Sequence, residues 1–214
     1  MKKLLIILNT KIFILLFIIN FLLSQSKDYP ITPIPFSQVK IVDKFFAKKI
    51  ETNHYVTIPI AVQKSKESGR IDNFKRAAGI QAGEFCSIYP FDDSDIYKII
   101  EAASYSIQTF PDEKMEVMID SLIFFTAAAQ EKDGYLYTNR TIKEGKPHEW
   151  AGDNRWELVN ELSHELYNLG HLYEAASAHF IATGKRSLLD IAITSADLVC
   201  NTFGPGKIEN YPGH

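Results

Sequence analysis

The chain has 214 residues, 46% of them apolar and 23% charged, with 23 basic and 26 acidic side chains. This composition is sufficient for a globular core, and it excludes both a disordered chain and a protein that binds nucleic acid through a strong positive charge. Two cysteines exclude a disulfide-rich scaffold and a multi-cysteine zinc cluster built by this chain alone.

The first 26 residues predict a signal peptide. Lysines give a positive start, and an uncharged, apolar run follows from Ile12 to Leu23. A run of about 12 residues is too short to span a bilayer comfortably, and Ser24–Ser26 offers small side chains for cleavage. An uncleaved anchor is the alternative. We therefore expect residues 27–214 to form the mature domain and to be secreted or periplasmic, with no membrane contact except through the signal peptide.

The next part of the chain predicts one short strand and two helices. Gln38–Asp43 alternates apolar and polar side chains, as a half-buried strand does. Asn53–Ser68 predicts a helix that Gly69 ends in a left-handed conformation. Ser94 is placed to cap a helix from Asp95 to Phe110.

Three further helices are predicted in the second half. Asp112–Glu131 ends before a glycine turn, and Ser187–Phe203 is the last helix. Arg155–Thr183 is apolar-periodic over 29 residues, which is long enough that we expect a break near Ser163 or Gly170. Neighbouring helices joined by short turns are typical of stacked α-hairpins. The predicted fold class is therefore mostly α.

The histidines near the middle of the predicted long helix do not form a zinc-protease motif. His164 and Glu165 are followed by His171, seven residues after the first histidine. A zinc protease needs its histidines four residues apart, so that both imidazoles reach one ion. Two helical turns separate His164 from His171 by about 10 Å, which excludes that motif.

The same region favours a carbohydrate ligand. Glu161, His164 and Glu165 lie within one helical turn, and a carboxylate can hold an imidazole in one tautomer. Such groups suit a sugar, which needs several directional partners, although a polar helix start with a hydrogen-bonded histidine explains the same spacing. Asp95 offers a further sugar-binding carboxylate, but a favourable position at a helix start explains it more simply.

Two other sets of residues have open interpretations. Cys86 and Cys200 have no neighbouring His or Cys in the sequence, and we interpret them as buried thiols. Four aromatic residues lie in or beside the polar stretch 134–153, where they either stack on a sugar ring or cover a loop. They are Tyr135, Tyr137, Trp150 and Trp156.

An ordered series of motifs covers nearly all of residues 36–214. The motifs include Val39-Lys40-Ile41, Gly69-Arg70-Ile71-Asp72-Asn73-Phe74, Asp93-Ser94-Asp95-Ile96-Tyr97-Lys98, His164-Glu165-Leu166-Tyr167 and Pro212-Gly213-His214. This series resembles glycoside hydrolase family 127 (GH127), the β-L-arabinofuranosidase family. The resemblance implies part of an (α/α)6 barrel of helical hairpins. It implies removal of non-reducing-end β-L-arabinofuranose with retention, by a zinc-bound cysteine thiolate and an acid/base glutamate, and it implies that His164 and His214 are sugar contacts.

The resemblance also implies that the reactive groups are missing here. The catalytic glutamate, the cysteine nucleophile and the zinc ligands of the family lie further along than residue 214, and Cys86 and Cys200 match none of them. We therefore expect a truncated portion of a secreted exo-glycosidase with no metal ligands and no catalytic residue of its own. Its partner would be an arabinose-containing glycan or plant polysaccharide.

Two alternatives remain at this stage. The first is an inactive, truncated sugar-binding or vestigial protein. The second is another six-hairpin glycosidase that uses two carboxylates, for which Asp93, Asp95 and Glu165 are the candidates.

Overall fold

The structure is a computed structural model that describes residues 31–142 and 145–209, except for the side chain of Ser37. The predicted signal peptide and His214 lie outside the described residues. The chain divides into two units, Met1–Lys40 and Ile41–His214. The described part of the first unit holds one 3-10 turn, Phe36–Gln38.

The predicted strand at Gln38–Asp43 is wrong. These residues are exposed and follow the 3-10 turn without pairing to another strand. A sequence that alternates apolar and polar side chains does not by itself form a strand. The backbone N–H and C=O groups of a strand need a neighbouring strand as hydrogen-bond partner. Within the described ranges the structure holds no β-strand. It has an isolated β-bridge between Phe203 and Ile208.

The first long helical segment begins earlier than predicted. It consists of α1 (Phe46–Thr52), a π-helical turn (Asn53–Thr57) and α2 (Ile58–Glu67), which follow one another without leaving helical dihedral angles. Pro59 explains the π-helical turn, because it has no N–H to donate and its ring crowds the carbonyl four residues earlier.

Gly69 separates this segment from a helix that the sequence analysis missed, α3 (Arg70–Ala77). Gly69 has a φ of 81°, and an added Cβ would lie 2.6 Å from the Cβ of Cys86. The predicted left-handed end is therefore confirmed. Gly69 also allows the chain to turn directly into the next helix, so that no loop marks the start of α3.

The remaining helices form two consecutive pairs joined by a region of turns. They are α4 (Asp93–Thr109), α5 (Glu113–Ala129), the short α6 (Thr138–Thr141), α7 (Glu165–Thr183) and α8 (Ser187–Thr202), with a 3-10 turn at Glu149–Ala151. The predicted long helix 155–183 is confirmed only from Glu165, where α7 begins next to the expected break at Ser163; residues 155–162 form turns instead of helix, so that part of the prediction is wrong.

Helices α4 and α7 form the centre of the packing and run parallel. Lys98 of α4 contacts Tyr167 of α7, and one turn further along Glu101 approaches His171. The predicted apolar face of α4 is confirmed, since its isoleucines and Ala103 are buried. Helix α5 packs on α3 and α4, and helix α8 packs on α7.

Two local predictions are wrong. Ser94 does not cap a helix, because α4 begins one residue before it and the Ser94 hydroxyl accepts a hydrogen bond from Lys98. Cys86 and Cys200 are exposed rather than buried. For Ser94 and for the two cysteines, tertiary packing decides the surroundings of the side chain. The capping preference of serine and the burial preference of cysteine do not.

The mostly α prediction is confirmed. A parallel central pair, with each member followed by a covering helix, is the arrangement of inner and outer helices in part of an (α/α)6 barrel. No helix within the described ranges is long and apolar enough to cross a membrane.

Candidate functional site

Polar and aromatic side chains gather where α4 and α7 begin. Because the two helices are parallel, their amino-terminal ends lie side by side. Phe91, just before α4, has its ring centroid 4.1 Å from that of His164, just before α7. The predicted site residues His164 and Asp95 are therefore at the same end of the central helix pair.

His164 has an uncommon backbone and a fixed ring. Its φ is 58°, in the left-handed region, and its side chain is partly exposed. The ring meets Phe91 on one side and the edge of Tyr167 on another. Its Nδ1 lies 2.5 Å from the carbonyl oxygen of Leu162. Because a carbonyl oxygen only accepts, Nδ1 carries a proton in this contact.

Lys98 and Tyr167 extend this site along both helices. The Lys98 ammonium group donates to the Tyr167 hydroxyl at 2.8 Å and to the Ser94 hydroxyl at 3.2 Å. The same ammonium group lies 5.0 Å from the centroid of the Tyr167 ring. The Tyr167 ring also meets His171 edge-on, at 4.7 Å. A cationic donor, a phenol and an imidazole thus lie within reach of a polar ligand.

Asp95 is paired with a cation from α3. Its carboxylate lies 2.8 Å from Arg70 Nε, while another nitrogen of the same guanidinium lies 2.9 Å from Asp92. Burial raises the pKa of Asp92, and the Arg70 charge opposes that rise. The Asp95 side chain is 42% exposed, so it remains open to solvent at the site end. Its predicted role as a sugar contact stays a prediction.

Glu165 lies in the interior, with 1% of its surface exposed. Its Oε1 accepts a hydrogen bond from the Tyr135 hydroxyl at 2.5 Å, and its Oε2 accepts one from Ser163 at 2.9 Å. The backbone N–H of Trp156 lies 3.2 and 3.1 Å from the two oxygens. The prediction that Glu165 binds the sugar does not fit this position, because its oxygens are enclosed and already accept protein donors.

The buried segment that carries Tyr135 links the starts of both central helices. The Tyr137 hydroxyl donates to the carbonyl oxygen of Ser163, just before α7. Thr138 donates to Asp93 at the start of α4 through its backbone N–H (2.7 Å) and its hydroxyl (2.5 Å). Burial raises the pKa of Asp93 to about 7, although the Thr138 hydrogen bonds oppose the rise. Asp93 is therefore also enclosed.

The other aromatic candidates divide into two kinds. Tyr135, Tyr137 and Trp156 are buried and belong to the interior. Trp150 is half-buried, and its ring stacks on Tyr89 with the centroids 5.8 Å apart. The structure thus assigns three of the four rings to packing. His214, the remaining predicted sugar contact, lies outside the described residues.

The described residues do not fit the zinc–thiolate site that the resemblance implies. In the part of the chain that the structure describes, one set of three metal-ligating side chains has donor atoms within 4.8 Å of one another: Glu101, His171 and Glu174. This set contains no cysteine, and Cys86 and Cys200 are free and exposed. No catalytic step is derived through zinc from these residues.

Sequence reasoning missed Phe91, Lys98 and Tyr167. Lys98 and Tyr167 stood inside quoted motifs, but only the parallel packing of α4 on α7 joins them. Phe91 carried no signal, since its role depends on the contact with His164 across more than 70 residues of chain.

Comparisons with known proteins agree with this fold. The sequence matches the β-L-arabinofuranosidase GH127 catalytic domain over residues 38–214. It is 39% identical over 150 residues to the non-reducing end β-L-arabinofuranosidase of Bifidobacterium longum subsp. longum. That alignment covers 69% of this chain but 22% of the relative, so the chain spans about a fifth of the length of this curated relative.

Solved structures give the same result. A GH127 β-arabinofuranosidase superimposes with a TM-score of 0.82 at 50% sequence identity, covering 87% of this chain and 30% of the solved chain. A GH127 β-L-arabinofuranosidase from Geobacillus stearothermophilus T6 gives a TM-score of 0.75 at 38% identity, covering 82% of this chain and 28% of the solved chain.

Proposed function

Because this chain belongs to the GH127 β-L-arabinofuranosidase family, we propose that it is the amino-terminal portion of the catalytic domain of a glycoside hydrolase. The whole protein would remove β-L-arabinofuranose, or a related sugar, from non-reducing ends of arabinose-containing glycans, including plant polysaccharides. We propose that hydrolysis proceeds with retention of the anomeric configuration.

The observation that supports this proposal is the position of His164. The resemblance implies that this histidine is a sugar contact, and its ring lies at the end where α4 and α7 begin. The imidazole of His164 and the polar groups of Lys98 and Tyr167 lie together there and would make directional hydrogen bonds to sugar hydroxyls. Directional acceptors and donors beside aromatic surfaces are the groups that recognise a sugar.

In this proposal the described residues bind and orient the sugar, and they do not carry out the chemistry. The glutamate acid/base, the cysteine nucleophile and the zinc ligands would lie further along the protein than residue 214, and His214 would provide a further sugar contact. Zinc, when bound, would hold the thiolate in its deprotonated form. The part played by His164 and Lys98 is to fix the sugar hydroxyls relative to those groups.

We further propose that the protein acts outside the cytoplasm, on the basis of the apolar segment in residues 1–26. Amino-terminal sequencing of the protein recovered from cell fractions tests this. A mature protein that begins at Lys27 in the periplasm or medium supports it, and an intact Met1 in the cytoplasm contradicts it.

The main test uses the intact protein that contains this chain. Hydrolysis of a β-L-arabinofuranosyl disaccharide is followed by release of L-arabinose, for the wild type and for His164→Ala. We expect the substitution to lower kcat/KM roughly 10- to 100-fold, as for the loss of one or two substrate hydrogen bonds. Phe124→Ala is the control, since it truncates an exposed ring on α5 and should leave kcat/KM unchanged.

Two outcomes contradict the proposal in different ways. If His164→Ala keeps wild-type activity, His164 is not a sugar contact. An intact protein that binds L-arabinose in a calorimetric titration but hydrolyses no substrate would instead be an inactive sugar-binding protein.

A further inference from the structure

Two residues other than glycine have left-handed backbones in the described part of the chain, and both lie in the loop before α7. They are Trp156, with a φ of 66°, and His164, with a φ of 58°. L-residues disfavour this conformation because Cβ approaches the following carbonyl oxygen. Such residues persist where the surrounding structure fixes them, which is common at binding sites.

The Glu165 carboxylate joins the two ends of this loop by hydrogen bonds. It accepts the backbone N–H of Trp156 at one end of the loop and the hydroxyl of Ser163 at the other end. Tyr135 donates to the same carboxylate from a separate segment. All the hydrogen bonds to Glu165 among the described residues thus come from neutral donors, which fix its direction without an opposing charge.

The two peptide planes that flank His164 are held separately. The carbonyl oxygen of Ser163 shares a plane with the His164 nitrogen, and it accepts a hydrogen bond from the Tyr137 hydroxyl at 2.5 Å. The carbonyl oxygen of His164 accepts the backbone N–H of Asn168 at 2.9 Å, the first bond of α7. Fixing both planes determines the φ and ψ of His164, and with them the direction of its side chain.

The tyrosine hydroxyls are suited to this task. Burial, and after it the Glu165 charge, raises the pKa of both Tyr135 and Tyr137 above the ordinary value. Each hydroxyl therefore keeps its proton and remains a donor at any pH at which the protein is folded.

We propose that Glu165 and Tyr137 are positioning residues that hold His164 in its left-handed conformation, so that its ring is directed to the sugar before the sugar binds. This inference rests on the proposed sugar contact of His164. It assigns Glu165 no contact with the substrate, since its carboxylate is enclosed and already accepts three protein donors.

The experiment compares Tyr137→Phe with Tyr97→Phe in the intact protein. Tyr137→Phe removes one hydroxyl and keeps the ring, so the packing is preserved. Tyr97 is the matched control, because it is also fully buried and its hydroxyl has no hydrogen-bond partner among the residues that the structure describes. Glu165→Gln is a second variant, in which an amide replaces one accepting oxygen. The readouts are the NMR signals of the His164 ring and backbone amide without ligand, and the calorimetric affinity for L-arabinose.

We expect Tyr137→Phe and Glu165→Gln to move the His164 signals and to weaken L-arabinose binding roughly 10- to 100-fold, because the His164 ring is misplaced. Tyr97→Phe should change neither readout. The proposal is overturned if Tyr137→Phe leaves the His164 signals as in Tyr97→Phe, even where the protein becomes less stable, since the network would then have only a structural role.

His164→Ala separates this inference from the proposed function. If His164→Ala binds L-arabinose as the wild type does, the proposed sugar contact fails. The positioning of His164 is then judged by the NMR signals alone, where a shift in Tyr137→Phe supports it and an unchanged signal overturns it.

Discussion

The N-cap of helix α5 is a partly exposed aspartate that accepts two backbone N–H groups of its own first turn, whereas helix α7 begins at a buried glutamate with a partner thirty residues away. Asp112 accepts the backbone N–H groups of Lys114 and Met115, so the start of α5 has a local N-cap, and the other Asp112 oxygen lies 3.4 Å from His54 Nε2. Glu165 instead accepts donors from a loop and from a separate buried segment.

The difference separates a helix start that is capped within its own first turn from one that is built by distant segments. A local cap forms wherever its short sequence folds, because its hydrogen bonds lie within the first turn. The start of α7 forms only when distant segments have packed, and it then fixes the conformation of His164. Each of the four predictions below tests one side of this contrast.

The largest effect is expected for Glu165→Ala. The substitution leaves the Tyr135 hydroxyl, the Ser163 hydroxyl and the Trp156 N–H buried without an acceptor. We expect a loss of about 4 kcal/mol in the free energy of unfolding, from the combined cost of these unsatisfied groups. Urea unfolding followed by circular dichroism measures it. A loss below about 1 kcal/mol would show that water replaces the carboxylate and that the network is dispensable.

The second prediction concerns Gly134, which precedes the buried segment. Its φ is 96°, and an added Cβ would collide with the carbonyl oxygen of Thr194 on α8. Gly134→Ala should therefore displace Tyr135 and Tyr137 and destabilise the protein by about 3 kcal/mol. Gly184→Ala is the control, because its φ is 71° but no atom lies within 4 Å of the added Cβ. Equal losses of unfolding free energy in the two variants would contradict the role of close packing.

The third prediction concerns pH and the buried carboxyl of Asp93, at the start of α4. Its pKa is raised from 3.8 to about 7 by burial, so the folded state holds a proton that the unfolded state releases. This contribution is fully present below pH 3.8 and is lost as the pH rises to about 7. Asp93→Asn, whose amide can satisfy both Thr138 groups, should lack this loss.

Thermal unfolding from pH 4 to pH 8 tests the Asp93 prediction. The difference between the wild type and Asp93→Asn isolates this group, because other carboxylates, such as Asp72, have a lowered pKa and act in the opposite direction. Asp120→Asn is an exposed control on α5. Parallel stability curves for the wild type and Asp93→Asn would show that Asp93 is ionised in the folded protein throughout this range.

The smallest effect is expected for Asp112→Ala, which removes the local cap of α5. We expect the melting temperature to fall by about 2–4 °C, with the His164 NMR signals unchanged. Asp112→Asn is the matched variant, since asparagine still accepts the two backbone N–H groups. A shift of the His164 signals in Asp112→Ala would show that the two helix starts are coupled, which contradicts the contrast drawn above.

Some of the fold was predictable because its causes are local. The apolar face of α4 and the end of the first helical segment at Gly69 follow from side-chain periodicity and from backbone conformation within a few residues. The length of the periodic segment indicated that one helix would not span it, but it did not reveal that residues 155–162 form turns. The α3 helix was missed because Gly69 joins it to the preceding helix without a loop.

The site was less predictable, as Ser94 and Glu165 show. Ser94 has the residue type of an N-cap, yet its hydroxyl accepts a hydrogen bond from Lys98 inside the helix. Glu165 has the residue type and spacing of a sugar-binding carboxylate, yet it is enclosed. Residue type records what a side chain is able to bind, while burial and neighbours decide what it does bind.

The sequence by itself determined the helices, their apolar faces and the ordered motifs that identify the family, because these depend on neighbours along the chain. Only the tertiary structure decided that α4 and α7 lie parallel, that Phe91 meets His164, and that Glu165 turns inward. These features depend on contacts between residues far apart in the chain, and a hydrogen bond between distant groups forms only after packing has removed water from around them.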